Sequence, residues 1–170
     1  IDTLPDEITN QVSFGLTNYT NNYRTQNSPL TTDLQIENDN LDFIFSIDNN
    51  LRWHDGQKVK PADIQPNING LQIKPINKQQ LKMSLEKPFS PILSVLTKPL
   101  FKKGTLGLGQ YQIEEYTYQK DFIKTITLSD SQDKKNQKVY IFYDQEEKLI
   151  NAYKLGEIDT IIDISSPKDL

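Results

Sequence analysis

The sequence predicts a mixed α/β fold that is richer in strands than in helices. Apolar and polar residues alternate with the two-residue period of a strand in segments 41–47, 71–74 and 80–85. Residues 139–162 follow the order strand, helix, strand, which is the pattern of a βαβ unit. Turn-forming residues separate these segments. We therefore expect one mixed β-sheet with a few short helices.

Composition limits the classes of protein to consider. The chain has 170 residues, enough for one domain, and we treat residues 1–170 as a single domain. It contains no cysteine, which excludes a disulfide, a thiolate zinc site and a cysteine nucleophile within these residues. No apolar run approaches the length of about 18 residues that crosses a bilayer.

The net charge of −4 is unevenly distributed. Residues 1–50 carry eight acids and one base, whereas residues 51–104 carry ten bases and three acids. The middle third could present a basic face, although solvated lysines at strand edges are the simpler interpretation. Because the total charge is acidic and no basic-aromatic motif is present, the sequence disfavours nucleic acid as a partner.

The first elements are a short helix or extended segment at residues 7–16 and a strand at residues 41–47. Residues 17–33 lie between them, are rich in Asn and Thr, and predict a loop. The alternation of strand 41–47 fails only at Ile44, so one face of that strand should be well buried.

Residues 51–64 are the most informative segment. Asp55-Gly56 supplies the positive φ of a primed hairpin turn between two short strands. Pro61 suits the first position of a helix, because its missing N–H would be unpaired there anyway. Pro66 should end that helix quickly.

The next elements are the strand pair 71–74 and 80–85. Ser90 as N-cap and Pro91 at the first position then predict a helix to about Leu96.

A glycine loop at residues 104–110 precedes a hairpin of residues 111–118 and 122–128. The loop lacks the Lys-Ser/Thr pair of a phosphate-binding loop, so its glycines indicate close backbone packing.

The C-terminal part predicts a buried strand at residues 139–143 and a helix that Asp144 caps and Gly156 ends. A strand at residues 158–162 would complete the βαβ unit with a right-handed crossover.

Five segments, in order along the chain, resemble the family 5 extracellular solute-binding proteins, the peptide- and nickel-binding components of ABC importers. The segments are Phe14-Gly15-Leu16-Thr17, the strands leading to His54-Asp55-Gly56 with Pro61-Ala62-Asp63-Ile64 after them, residues 81–93, Gly107-Leu108-Gly109-Gln110-Tyr111, and the strand and helix before Gly156-Glu157-Ile158-Asp159.

The resemblance implies a periplasmic-binding-protein-like (class II) lobe, with residues 1–170 as the N-terminal lobe (domain I) and the second lobe absent. The family's helical subdomain, expected after Ile64, is also absent. The implied partners are an oligopeptide or related solute and an ABC permease, with no cofactor and no metal. The implied location is extracytoplasmic, periplasmic or at the cell surface, with membrane attachment only through a lipid anchor outside this chain.

In such two-lobed proteins the ligand lies between the lobes, near the strand crossovers. Topology therefore suggests six ligand-binding residues: Tyr19, Thr97, Lys98, Asp163, Ile164 and Ser165. No residue is predicted to be catalytic, because the chain has a single histidine, His54, and no nucleophile motif. The alternative function is a stand-alone interaction or regulatory domain that kept the lobe and lost transport.

Overall fold

The computed structural model describes residues 4–66 and 68–164. Within them the chain separates into two compact units. One contains the residues up to 113 together with 129–136, and the other contains residues 114–128 and those from 137 onwards. Each unit is considered below by itself.

The chain forms nine strands, three α-helices and one 3₁₀ turn within the described residues. In order they are α1 (Asp6–Val12), β1 (Thr17–Tyr19), β2 (Thr25–Asn27), β3 (Thr31–Glu37), β4 (Asp42–Ile47), the 3₁₀ turn (Pro61–Asp63), β5 (Leu71–Pro75), β6 (Gln80–Leu85), α2 (Ile92–Val95), β7 (Tyr111–Gln119), β8 (Phe122–Asp130), β9 (Gln137–Ile141) and α3 (Glu146–Lys154). None of the described helices has the length and apolar character needed to cross a membrane.

The core of the first unit lies on one face of a four-stranded antiparallel sheet with the order β3-β4-β6-β5. Phe43 is opposite Met83, and Phe45 is opposite Leu81, and all four side chains are buried. The other face is polar, as the period-two pattern predicts. Ile44 lies on that face, opposite Lys82.

The strands form three sheets, whereas we expected a single mixed sheet. Besides the four-stranded sheet, β1 pairs with β2, and β7, β8 and β9 form a third sheet in that order. Residues 158–162 do not form the predicted strand. Without that strand the helix α3 has no second strand to connect, so no parallel βαβ pair arises. The broader prediction, a strand-rich α/β fold with a few short helices, is confirmed.

The predicted loop at residues 17–33 was wrong, because it contains β1, β2 and the start of β3. The first two strands have three residues each and pair antiparallel, with Thr17 opposite Asn27. Strands this short and this polar show no periodic apolar pattern, so the sequence gives no strand signal there.

The hairpin at residues 51–59 exists, but its turn is not of the primed type. Gly56 has φ 79°, whereas Asp55 is not among the described residues with positive φ. The N–H of Trp53 donates to Gln57 O (2.9 Å), and the N–H of Gly56 donates to Trp53 O (2.8 Å). These bonds enclose a three-residue loop, which needs only its last residue in the left-handed region. The flanking strands reduce to one bridge, between Arg52 and Lys58.

Two predicted helix caps are wrong. The N-cap of α3 is Gln145, and the Asp144 carboxylate instead forms an ion pair with Lys148 Nζ (2.9 Å). The N-cap of α2 is Pro91, so Ser90 lies one residue too early.

The predicted end of α3 at Gly156 is confirmed. Gly156 has φ 72°, and its N–H donates to Tyr153 O (3.0 Å). The N–H of Glu157 donates to Ala152 O (2.9 Å), which completes a Schellman motif. We expected the strand before this helix to be buried, but Val139 in β9 is 59 % exposed.

Replacing Asp39 with Gly should stabilise the fold slightly. Asn38, Asp39 and Asn40, which join β3 to β4, have φ values of 51°, 51° and 65°. A left-handed L-residue is strained, and glycine removes that strain at some cost in unfolded-state entropy, so we expect a net gain of about 0.5 kcal/mol. Urea denaturation would measure it. Asp39→Ala is the matched control and should not stabilise the fold, because alanine keeps the strain of the left-handed conformation.

Candidate functional site

The candidate site is the region of the first unit where β1 meets the end of α2. The N–H of Thr17 donates to Leu96 O (3.3 Å), and its hydroxyl Oγ1 donates to Leu93 O (2.5 Å). The last carbonyls of a helix have no partner inside the helix, so β1 satisfies two of them. This pairing holds β1 against α2.

Gly15 makes this approach possible. A Cβ atom at Gly15 would lie 2.1 Å from Leu96 O and 2.7 Å from the carbonyl carbon and oxygen of Thr97. No side chain fits at that distance from a backbone carbonyl. The backbone at Gly15 therefore brings the start of β1 next to Thr97.

Three of the six predicted ligand-binding residues lie in this region. Thr97 is half-buried, and its hydroxyl donates to Ser94 O (2.8 Å). Lys98 is exposed, and Tyr19 is 49 % exposed. Within residues 4–66 and 68–164 neither the Lys98 ammonium nor the Tyr19 hydroxyl has a hydrogen-bond partner.

The prediction missed Asn18. Its Oδ1 atom is buried, and it is the one buried side-chain N or O atom without a partner in the described part of the chain. An unsatisfied buried amide oxygen costs about 1–3 kcal/mol. Asn18 is the central residue of β1, between Thr17 and Tyr19. Only an assignment of β1 as a strand would have drawn attention to it.

The other three predicted residues are not among those described in the first unit. Asp163 (φ 60°, exposed) and Ile164 (half-buried) belong to the second unit. Ser165 lies outside the described residues. The structure therefore groups Tyr19, Thr97 and Lys98 with β1 and α2, and their joint role with residues 163–165 stays a prediction.

His54 has a structural role. Its Nδ1 accepts a hydrogen bond from the Gly107 N–H (3.3 Å), which requires the proton to be on Nε2. Nε2 then donates to Gly109 O (3.0 Å). Both ring nitrogens thus join the hairpin to the glycine loop. No group of three His, Cys, Asp or Glu side chains in the described ranges could hold a metal ion.

An open depression of about 430 Å³ in the first unit is lined almost entirely by polar residues. It lies beside the turns after β4 and before β6, and it does not include any residue of β1 or α2. Its polar side chains already bind one another. The Asn77 amide donates to Gln80 Oε1 (2.8 Å), and the Gln80 amide donates to Ser46 Oγ (3.2 Å). These contacts indicate turn structure and not a ligand site.

Asp130 makes the stability of the fold depend on pH. The Gln132 N–H (2.8 Å) and the Gln110 side-chain amide (2.8 Å) donate to its carboxylate, and these bonds hold the pKa of Asp130 below its ordinary value. A pKa lowered by folding stabilises the protein above the unfolded-state pKa, and this contribution is lost as pH falls through the folded-state pKa.

We therefore expect Asp130→Asn to be less stable than the native protein at neutral pH, with the difference shrinking in acid. Urea denaturation between neutral pH and about pH 3, below the ordinary aspartate pKa, measures it. Asp121→Asn is the control, because Asp121 is exposed in the turn between β7 and β8. A constant difference between Asp130→Asn and the native protein across this range would contradict the prediction.

Comparison with solved structures identifies the fold. The chain superposes on NikA from Brucella suis, in complex with Fe(III)-EDTA, with a TM-score of 0.74 and 16 % identity, over 89 % of this chain and 38 % of that one. It superposes on AppA from Bacillus subtilis, an oligopeptide-binding protein in complex with a nonapeptide, with a TM-score of 0.73 and 12 % identity, over 92 % and 39 %. For NikZ from Campylobacter jejuni, in complex with Ni(L-His), the values are 0.72 and 19 %, over 88 % and 37 %.

These similarities confirm the predicted solute-binding-protein fold. The identities are low, so they establish the fold and leave the ligand open. This chain spans less than two fifths of the length of those structures. No protein-family model matches the chain, and no curated protein matches its sequence.

Proposed function

We propose that this chain, which has the fold of the family 5 solute-binding proteins, is the N-terminal lobe of an extracytoplasmic substrate-binding component of an ABC importer. The observation that carries the proposal is the superposition of about nine tenths of the chain on such proteins, among them an ABC transporter substrate-binding protein from Sinorhizobium meliloti (89 % of this chain). The whole protein would have two lobes and close around its ligand, which shifts a hinge equilibrium towards the closed state.

The chemistry of the candidate site supports an oligopeptide or a related zwitterionic solute. The buried Asn18 Oδ1 lacks a donor, and a peptide N–H would supply one. The Lys98 ammonium, exposed at the end of α2, would pair with a carboxylate. Tyr19 offers an apolar ring with a polar tip. Thr97 would add a hydroxyl group to this surface, and Asp163, Ile164 and Ser165 stay predicted ligand-binding residues.

The implied partners follow from this role. The lobe would deliver its solute to an ABC permease outside the cytoplasm, in the periplasm or at the cell surface. Contact with the membrane would run only through a lipid anchor outside this chain. The binding role is non-enzymatic and requires no cofactor.

Substitution of Asn18 tests the site. Asn18→Ala removes an unsatisfied buried oxygen, so the ligand-free protein should be no less stable. The affinity for the bound peptide should fall by about tenfold for each lost hydrogen bond that contributes about 1.4 kcal/mol. A peptide screen by thermal shift on the full-length protein would find the ligand, and calorimetry would measure its affinity. Asn27→Ala, on the paired strand β2, is the matched control and should leave affinity unchanged.

Unchanged affinity in Asn18→Ala and Lys98→Ala would exclude this site. Binding of residues 1–170 alone, as tight as that of the full-length protein, would contradict the role of a second lobe. Absence of binding to any peptide would favour another solute class, such as a metal chelate.

The second candidate is a stand-alone interaction or regulatory domain derived from such a lobe. It is favoured by the short connection from the 3₁₀ turn, which ends at Asp63, to β5, which begins at Leu71. The family resemblance places a helical subdomain there. A DNA-binding domain encoded upstream would favour regulation, and a signal sequence with a second lobe would favour transport.

A further inference from the structure

The turn before β5 contains the single Asn-Gly dipeptide of the chain, Asn69-Gly70. We propose that Asn69 is a site of spontaneous deamidation, where the folded protein converts asparagine to aspartate and isoaspartate. Glycine has no side chain to shield its backbone nitrogen, so this nitrogen can reach the amide carbon of the preceding asparagine. The inference does not depend on the proposed binding role.

The turn leaves both reacting groups accessible. Asn69 and Gly70 are exposed. Among residues 4–66 and 68–164 no group binds the Asn69 side-chain amide, and none accepts a hydrogen bond from the Gly70 N–H. Gly70 has φ 77°, and a Cβ atom there would meet nothing within 4 Å. Around the turn, the Leu71 N–H donates to Ile68 O (3.3 Å), and this long hydrogen bond is a constraint that a change of the backbone angles of Asn69 and Gly70 must overcome.

The Asp-Gly dipeptide of the hairpin shows what protection requires. The Gly56 N–H is bound to Trp53 O (2.8 Å). The Asp55 carboxylate is bound to the Gln57 N–H (2.9 Å) and to Lys102 Nζ (3.2 Å). Nucleophile and electrophile are therefore both engaged there, whereas no described residue binds either group at Asn69-Gly70.

Asn27-Ser28 is a second protected pair. Asn27 pairs with Thr17 across β1 and β2. The Ser28 N–H donates to Leu16 O (3.1 Å), so its nitrogen cannot turn towards the Asn27 amide without breaking the strand pairing. Asn27 is therefore an internal reference within the same unit.

The reaction needs only water and hydroxide. Hydroxide removes the Gly70 N–H proton, and the nitrogen attacks Cγ of Asn69. The bond from Cγ to the side-chain nitrogen then breaks, and that NH₂ group takes a proton from water and leaves as ammonia, which regenerates hydroxide. The resulting succinimide then adds water at one of its two carbonyl carbons. Opening at one carbonyl yields aspartate and opening at the other yields isoaspartate, and neither oxidant nor reductant takes part.

The products would change the edge of the four-stranded sheet. Both add a negative charge to the basic middle third of the chain. Isoaspartate also lengthens the main chain by a methylene group immediately before Leu71, which is opposite Leu85 in the sheet. The turn bond from the Leu71 N–H to Ile68 O (3.3 Å) spans the altered residue and should weaken.

The experiment incubates the folded protein at mildly alkaline pH and physiological temperature, and follows each asparagine by tandem mass spectrometry of protease digests. An isoaspartyl methyltransferase assay on the same samples detects isoaspartate. We expect Asn69 to convert several-fold faster than Asn27 in the folded protein. In denaturant both residues should convert faster than they do in the folded protein. Gly70→Asn tolerates the positive φ and fills open space, so it should fold normally and slow conversion of Asn69 several-fold.

Two results would overturn the proposal. The first is conversion of Asn69 in denaturant with none in the folded protein, which would mean that the turn protects it. The second is conversion of the Gly70→Asn variant at the native rate, which would mean that access of the Gly70 nitrogen does not control the reaction.

Discussion

Replacing Gly107 with alanine should destabilise the first unit by more than about 3 kcal/mol, because a methyl group has no space there. A Cβ atom at Gly107 would lie 2.1 Å from Val12 O and 2.9 Å from Ser13 Cβ. The first of these neighbours is backbone at the end of α1, so no rotation of a side chain can relieve the clash.

The backbone on both sides of the contact is held in place. The Gly109 N–H donates to Val12 O (2.8 Å), and the Leu108 N–H donates to Ser13 Oγ (3.2 Å). The His54 N–H donates to Gly107 O (3.1 Å). Moving the loop away from α1 would therefore break several hydrogen bonds, each with a net value of about 1 kcal/mol.

Chemical denaturation of Gly107→Ala would measure the effect. Gly104→Ala is the matched control in the same loop: Gly104 has φ 57° and open space around it, so its cost should stay near about 1 kcal/mol. A loss in Gly107→Ala as small as that in Gly104→Ala would show that the loop can shift, and that the contact with α1 does not require a glycine at 107.

Replacing Trp53 with alanine should cost about 3–5 kcal/mol. Trp53 is 2 % exposed and is the largest fully buried side chain of the described residues. It packs in the core cluster of the first unit with side chains from the four-stranded sheet. Its indole N–H also donates to Asp63 Oδ2 (3.4 Å), which joins the hairpin to the 3₁₀ turn. Its burial identifies Trp53 as a core residue.

The denaturation midpoint of Trp53→Ala would fall accordingly, and Trp53→Phe should cost less because it leaves a smaller cavity and loses one hydrogen bond. Tyr23→Ala is the control for an exposed aromatic residue, because Tyr23 is 88 % exposed and should change stability by less than about 0.5 kcal/mol. A loss below about 1 kcal/mol in Trp53→Ala would mean that the core can collapse around the gap.

Local patterns predicted the elements whose signal is contained in a few residues. The strand pair 71–74 and 80–85 forms β5 and β6, because alternating side chains already specify which face is buried. Gly156 ends α3, because the left-handed cap is a property of one residue. The hairpin at Asp55-Gly56 forms as well, with a different turn type.

Contacts between distant segments could not be predicted in this way. Strand β1 pairs with β2, and its Thr17 also satisfies a carbonyl group of α2 that lies 76 residues later in the chain. The strand predicted at residues 158–162 failed for the converse reason, since a strand also needs a neighbour to pair with.

By itself the sequence determined a strand-rich α/β fold, one buried face for each amphipathic strand and the family whose fold the chain shares. Periodicity and turn chemistry are local properties, so the order of residues along the chain records them. Only the tertiary structure decided that the strands divide into three sheets, that Gly15 and Gly107 permit close backbone contacts, and that Asn18 belongs to the candidate site. These features depend on which backbone groups meet across the chain, and a one-dimensional pattern does not record those distances.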